Sequence, residues 1–288
     1  MNFARGALGS AIALCVAAIL LFVLSPAQAA RMAGAADEPP PDRGRAAAGP
    51  GNVVAGLAGN AGSLRSLAAR ERDVAHSLNV YRNTMGSSPI ARLSGIPSRV
   101  YVPNSTAATL DVIDPATSQV IEHLRVGAIP HHVTPSWDMT KLYVNNEGSS
   151  SLTVIDPASG RVTGSIAVPF PYNLYFTPDG KKAIVIVERL ARIDFRDPQS
   201  WQLIKSVPIP WRGIDHVDFS ADGRFLLGST EWSGMLVKVD TEAMEITGSV
   251  NVGGLPIDVR LAPDGSVFYV TNQGRHGVSI VDANLMTE

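Results

Sequence analysis

The chain has 288 residues, with 24 lysines and arginines against 26 aspartates and glutamates and a formal charge of −2. No block of like charge breaks that balance, which excludes an electrostatic footprint for nucleic acid. One cysteine, Cys15, excludes a disulfide framework and any multi-thiolate metal site.

Met1 to Ala29 reads as an export leader. Arg5 supplies the positive start, Ala11 to Leu24 an apolar stretch of 14 residues, and Ala27-Gln28-Ala29 the small-residue cleavage site. That stretch is shorter than the roughly 20 residues that span a bilayer, so cleavage is expected and no stable membrane span remains. Cys15 leaves with the leader, and loss of Arg5 leaves 23 basic residues against 26 acidic ones, a formal charge of −3. Residues 30–95 read as a linker. Ala30 to Gly62 is rich in Ala, Gly and Pro, carries too few large apolar residues to fold, and is expected to be disordered. Ser63 to Ser77 suits a short helix capped by Ser63, with Leu64, Leu67, Val74 and Leu78 on one side. Asn83 to Gly95 reads as a loop.

From Ile96 onward the chain repeats. Asp114, Asp156, Asp197, Asp240 and Asp282 close apolar runs at spacings of 42, 41, 43 and 42. A second ladder, Asp138, Asp179, Asp222 and Asp264, falls in turns such as Pro-Asp-Gly at spacings of 41, 43 and 42. Tyr101, Tyr143 and Tyr269 open a third landmark one and then three periods apart. Each period holds four short alternating runs, in the clearest copy Lys141 to Asn146, Ser151 to Asp156, Arg161 to Val168, and Tyr172 to Thr177. Asp-Gly at 179, 222 and 264 suits a tight turn because Gly accepts positive φ. Met139 replaces that Gly in the first copy, so its turn is expected to differ or to carry strain.

Four-stranded units of this period predict an all-β fold, a β-propeller over residues 96–288 with about five blades. The first blade starts at Arg99 to Asn104 without an inner strand, and the fifth ends after Gly277 to Asp282 without an outer one. Two outcomes are open. Ser77 to Arg82 and Pro89 to Leu93 complete a small ring, or the chain is shorter than its architecture and leaves an open seam. The second is favoured because neither segment matches the repeat.

Tyr269-Val-Thr-Asn, its variants at 101 and 143, the Asp-Pro-Ala-Ser-Gly turn at 156 and the Pro-Asp-Gly turns resemble the YVTN-repeat, YncE-type family of secreted bacterial β-propellers. The resemblance spans Ile96 to Glu288. It implies a secreted or periplasmic protein and a typical ring of seven blades, hence about two blades absent at the C-terminal end. It leaves function open.

Alignment on the turn aspartates defines a candidate site. Six residues before each stand His132, Asn173, His216 and Asp258; seven before stand His131, Tyr172, Asp215 and Ile257. The next positions, Val133, Leu174, Val217 and Val259, are aliphatic, so polar residues converge at one end of the inner strands. The candidate ligand-binding residues are therefore His131, His132, Tyr172, Asn173, Asp215, His216 and Asp258. They suit either a channel-mouth site for a small anionic ligand, a divalent metal or a haem, or hydrogen bonds that tie neighbouring inner strands together. Adjacent strand residues point to opposite faces, so His131 and His132 are not expected to reach one ion together. Trp211-Arg212 lies in a loop on the His216 side and is placed to clamp a ligand. Glu188-Arg189 and Glu231-Trp232 follow second strands and are expected at the opposite rim or in an inter-blade groove.

The chain has no Gly-x-Ser-x-Gly elbow, phosphate loop, His-Glu-x-x-His or Cys-x-x-Cys, and no nucleophile flanked by a base. The leading reading is a non-catalytic secreted binding module without a cofactor, whose partner is a protein, a cell-envelope component or a small ligand. One alternative is a lactonase-like metal-dependent hydrolase using Asp215, Asp258 and His216. The other is a haem-binding propeller like that of haem nitrite reductases, with His131 or His132 as axial ligand.

Overall fold

A computed structural model describes residues 93–288. The leader, the helix expected from Ser63, the segment Ser77 to Arg82 and nearly all of Pro89 to Leu93 lie outside the described residues.

Five antiparallel sheets follow one another along the chain. The first holds β1 (Val100–Asn104), β2 (Thr109–Asp114) and β3 (Gln119–Arg125); the second holds β4 (Pro130–Pro135), β5 (Leu142–Asn146), β6 (Ser151–Ile155) and β7 (Val162–Ala167). The third holds β8 (Asn173–Phe176), β9 (Ala183–Val187), β10 (Arg192–Arg196) and β11 (Leu203–Pro208). The fourth holds β12 (Ile214–Phe219), β13 (Phe225–Thr230), β14 (Met235–Asp240) and β15 (Glu245–Asn251), and the fifth β16 (Pro256–Leu261), β17 (Phe268–Asn272) and β18 (Gly277–Val281). Strands pair in sequence order within each sheet, so each sheet is one blade of a meander. Among the described residues the first and fifth blades have three strands and the others four, with the strands placed as the repeat predicts.

Burial explains the composition of these strands. Four apolar clusters lie between successive blades: Leu110 and Val112 meet Val144 and Ile155, Tyr143 and Leu152 meet Leu174 and Val185, Ile193 and Phe195 meet Val217 and Val237, and Leu227 and Leu236 meet Val259 and Val270. A middle strand thus has neighbours on both faces. This is why β9, Ala-Ile-Val-Ile-Val, is buried at every position and shows no polar alternation. Outer strands β3 and β7 are mostly exposed.

Both aspartate ladders cap turns. Asp156, Asp197, Asp240 and Asp282 each accept two backbone N–H groups through Oδ1, at 2.7–3.0 Å. Asp138, Asp179, Asp222 and Asp264 accept the N–H two residues on, at 3.0–3.1 Å. Met139 takes φ 61°, beside 72° at Gly180 and Gly223 and 75° at Gly265. Its turn therefore keeps the shared geometry, and the expected deviation appears only as a side chain held in the left-handed region.

Candidate functional site

The site is built on an irregularity of the inner strands. In β4, Pro130 pairs with Asn146 and pairing resumes at Val133 with Val144, so His131 and His132 together face Asn145. The same slip sets Asp215 and His216 of β12 opposite Ser229, and Ile257 and Asp258 of β16 opposite Thr271. A two-against-one bulge breaks the alternation of side chains and re-aims them. This corrects the expectation for the paired histidines. Both rings turn to one place, 6.3 Å apart, and stand 4.9 and 5.2 Å from the ring of Tyr172.

His216 joins them, 5.3 Å from His132 and 6.1 Å from Tyr172 between ring centroids. Its Nδ1 lies 2.5 Å from Oδ1 of the buried Asp215. The Tyr172 phenol lies close enough to the same carboxylate to feel its charge. Burial first, and then Asp215, hold the Tyr172 phenol above its ordinary range. Burial also drives the His132 imidazole down to about 4, so that this ring is neutral near pH 7. For His216 burial pulls the same way, but the hydrogen bond and charge of Asp215 outweigh it, with Asp258 adding, and its pKa is raised.

Three carboxylates that the sequence reading did not place here complete the mouth. Second strands run antiparallel to inner ones, so the end of a second strand returns to the level where an inner strand begins. Glu188 and Glu231 accordingly stand on the same rim as His216, which corrects the expectation of the opposite rim, while the contacts of Glu188 and Arg189 run between blades as the inter-blade alternative had it. The Trp232 indole N–H donates to Glu188 Oε1 at 3.0 Å, and the Glu231 N–H donates to the Gly213 carbonyl at 2.8 Å. Glu147 ends β5 in the same way, 3.4 Å from His131 Nε2 and 3.2 Å from Arg189. Its hydrogen bond to His131, opposed by burial and reinforced by Arg189, holds its carboxyl below the usual range. Burial, then Asp215, then Glu188 push Glu231 up to about 7, and burial with Asp215 and Glu147 raises Glu188. The signal was present: Glu147, Glu188, Glu231 and Gln273 repeat at 41, 43 and 42, the spacing of the aspartate ladders.

The remaining candidates do other work. Asn173 is buried, donating to the Tyr175 hydroxyl at 2.8 Å and accepting from its neighbour Leu174. Asp258 pairs with Arg260 at 3.2 Å, half exposed. Trp211 packs against the cluster between the third and fourth blades, and the backbone of Arg212 is held by Ser233. Part of the polar set also stitches blades. His132 Nδ1 lies 2.9 Å from the Tyr172 carbonyl, Thr134 donates to the Leu174 carbonyl at 3.2 Å, and the Leu261 N–H donates to Asp218 at 2.7 Å.

Among the described residues no group of three or more His, Cys, Asp or Glu side chains is placed to hold a metal ion.

A search among curated proteins finds no match. Three solved structures are similar. A hydrazine synthase of Kuenenia stuttgartiensis is 24% identical with a TM-score of 0.53, the match covering 63% of this chain and 54% of that one. A protein of unknown function from Desulfotomaculum acetoxidans is 14% identical at 0.53, covering 65% and 67%. A candidate 6-phosphogluconolactonase from Bacteroides fragilis is 18% identical at 0.55, covering 65% and 64%. The chain thus spans about half the length of the hydrazine synthase chain it matches. At these identities the likeness establishes the fold alone. The family described as YNCE-like beta-propeller matches residues 62–202. With its repeat and its blades, that match supports a YncE-type β-propeller family for the chain.

Proposed function

We propose that this propeller is an exported, non-catalytic binding module that takes a small ligand at the channel mouth between its second, third and fourth blades. The observation that carries the reading is the convergence of His131, His132, Tyr172, Asp215 and His216 from three blades on one half-buried spot. Bulges in the second and fourth blades turn His131, His132, Asp215 and His216 out of simple alternation, and Tyr172 meets them from the regular third blade. Stitching accounts for one nitrogen of His132 but leaves the Asp215–His216 pair and the His131 ring facing the mouth.

The test is a titration of the mature protein with a panel of small amines, carboxylates and sugars, read on the histidine ring signals by NMR. At least one class should shift His131, His132 and His216 saturably, and the double variant His132→Ala with His216→Ala should stay folded by circular dichroism and lose the response. Silence across the panel, with an unfolded double variant, would assign these rings to holding the blades together.

A further inference from the structure

We infer that the free edge of β1 is a docking site for residues 89–93 of this chain, which pair with it as the inner strand of the first blade and bring the preceding linker to the rim of the mouth. Among the described residues β1 pairs with β2 alone, whereas the corresponding strands β5, β9, β13 and β17 each pair on both sides. One row of β1 backbone groups is left without a ladder, and such an edge recruits a strand. The chain already turns back ahead of β1, where the Ile96 N–H donates to the Leu93 carbonyl at 3.1 Å. Leu93 also stands as far before the start of β1 as Pro135 and Leu261, the ends of two inner strands, stand before β5 and β17.

The residues before Leu93 carry the signature of an inner strand. Val126-Gly-Ala-Ile-Pro130 leads into β4 and Val252-Gly-Gly-Leu-Pro256 into β16, and Met85-Gly-Ser-Ser-Pro89 has the same order of apolar residue, Gly and Pro. β16 continues as Pro256-Ile-Asp-Val-Arg-Leu261; the upstream segment continues as Pro89-Ile-Ala-Arg-Leu93, sharing Pro, Ile, Arg and Leu with one residue fewer. The missing residue falls at the pair Ile257 and Asp258, which bulges opposite Thr271. Without the bulge the register is regular throughout: Leu93 faces Val100, Arg92 faces Tyr101, Ala91 faces Val102, Ile90 faces Pro103 and Pro89 faces Asn104. Both ends then coincide with those of β16, where Leu261 faces Phe268 and Pro256 faces Asn272. A search at constant period passes over this copy, because it is short by the bulge residue. Pro103 has no N–H to offer Ile90, so the ladder lacks one bond near its mouth end.

A second observation comes from β1 itself. In the fifth blade Asn272 clamps the entry to the inner strand: its Nδ2 donates to the Gly253 carbonyl at 2.9 Å, and its Oδ1 accepts the Leu255 N–H at 3.0 Å. Asn104 ends β1 at the same place in Tyr-Val-x-Asn. Its Nδ2 donates to Thr109 Oγ1 at 3.2 Å, and its Oδ1 receives no hydrogen bond among the described residues. The Ser88 N–H is the donor that the repeat assigns to that oxygen. The family match also begins at residue 62, ahead of β1. Inner strands start at the rim that carries the histidines, since Pro130, opposite Asn146, immediately precedes His131. Pro89 opposite Asn104 therefore joins the linker to the propeller on the face that carries the mouth, away from the turns of Asp138 and Asp179.

The chain from Ala30 onward has no native thiol, so engineered cysteines report without background. Opposite residues of an antiparallel pair stand about 4.5–5.5 Å apart between Cα atoms, within the reach of a disulfide. Ala91→Cys with Val102→Cys should therefore lose both free thiols on mild oxidation, read by thiol titration of the unfolded product. Ile90→Cys with Val102→Cys is a slip of one residue that sets the side chains on opposite faces, and should cross-link about tenfold less. Val102 is 37% exposed, so its replacement leaves the core intact. A spin label on Ser87→Cys should broaden the His131 and His132 ring signals more strongly than one on Ser98→Cys, at the other end of β1. Equal cross-linking by the two pairs, or none by the first, overturns the strand. Cross-linking as expected with equal or weaker broadening from residue 87 overturns the position of the linker at the mouth.

Discussion

At the scale of single residues the mouth holds groups whose proton equilibria oppose each other. His132 has its pKa depressed to about 4 by burial, against an ordinary value near 6.5. The fold favours the neutral ring, so the stability it contributes is complete above pH 6.5 and is lost as pH falls toward 4. At about 1.4 kcal/mol per unit the loss is on the order of 3 kcal/mol. His216 and Glu231 work the other way. Both are raised, so the stability each contributes is present below its unfolded value and is lost as pH rises through the folded one, which for Glu231 lies at about 7. His132→Gln keeps an amide able to bond the Tyr172 carbonyl but does not titrate. Urea denaturation between pH 4 and 7 should therefore give a flatter stability profile for this variant than for the wild type; parallel profiles would mean that the ring is not held neutral. The two histidines were legible in the repeat alignment, whereas Glu231 was not placed with them. Their protonation was not legible, because it depends on charges carried by other blades.

At the scale of elements, β10 carries an arrangement that no repeat position announced. Asp194 is fully buried, with Arg192 Nε at 2.9 Å, Arg196 Nη2 at 3.2 Å and Ser206 Oγ at 2.6 Å. Arg196, itself buried, also donates to the Trp201 carbonyl at 2.9 Å, tying β10 to the turn before β11. Removing one partner of a buried pair strands the other charge, whereas replacing the set with apolar residues can be neutral. Asp194→Asn should cost about 3–5 kcal/mol in urea denaturation, and Arg192→Leu, Asp194→Leu and Arg196→Met together should cost much less. Equal losses in the two variants would show that the ions contribute net stability. Strand positions and turn caps could be read from alternation and from the Asp, Pro and Gly of the turns, since those are local. The bulges could not. A bulge is a property of two paired strands, and His131-His132 considered as one strand implied opposite faces where the paired register gives one.

At the scale of the whole molecule, each blade contributes one side of the apolar layer shared with the next, as in quasi-one-dimensional repeat architectures. In the fifth blade the face toward the fourth is buried through Phe268, Val270 and Val281, while Tyr269, Val278 and Ile280 on the other face are 44–59% exposed among the described residues. The blades are separated in sequence from the apolar segment at Ala11 to Leu24 by the linker of residues 30–95, so removal of the leader would take nothing from the repeat. Export with cleavage predicts that the protein produced from its full sequence in a bacterial host is recovered outside the cytoplasm with Ala30 as its first residue, by intact mass. A cytoplasmic product beginning at Met1 would sink the proposal of export.

The sequence by itself determined the blade. Period, strand order, turn chemistry and the polar ring at the inner-strand starts are encoded within about 42 residues and recur in successive copies. Only the tertiary structure decided which polar residues meet. Antiparallel pairing returns the ends of second strands to the rim where inner strands begin, bringing Glu147, Glu188 and Glu231 to the histidines. The bulge then turns two neighbouring side chains the same way. Both are relations between strands, set by backbone register and by packing between blades.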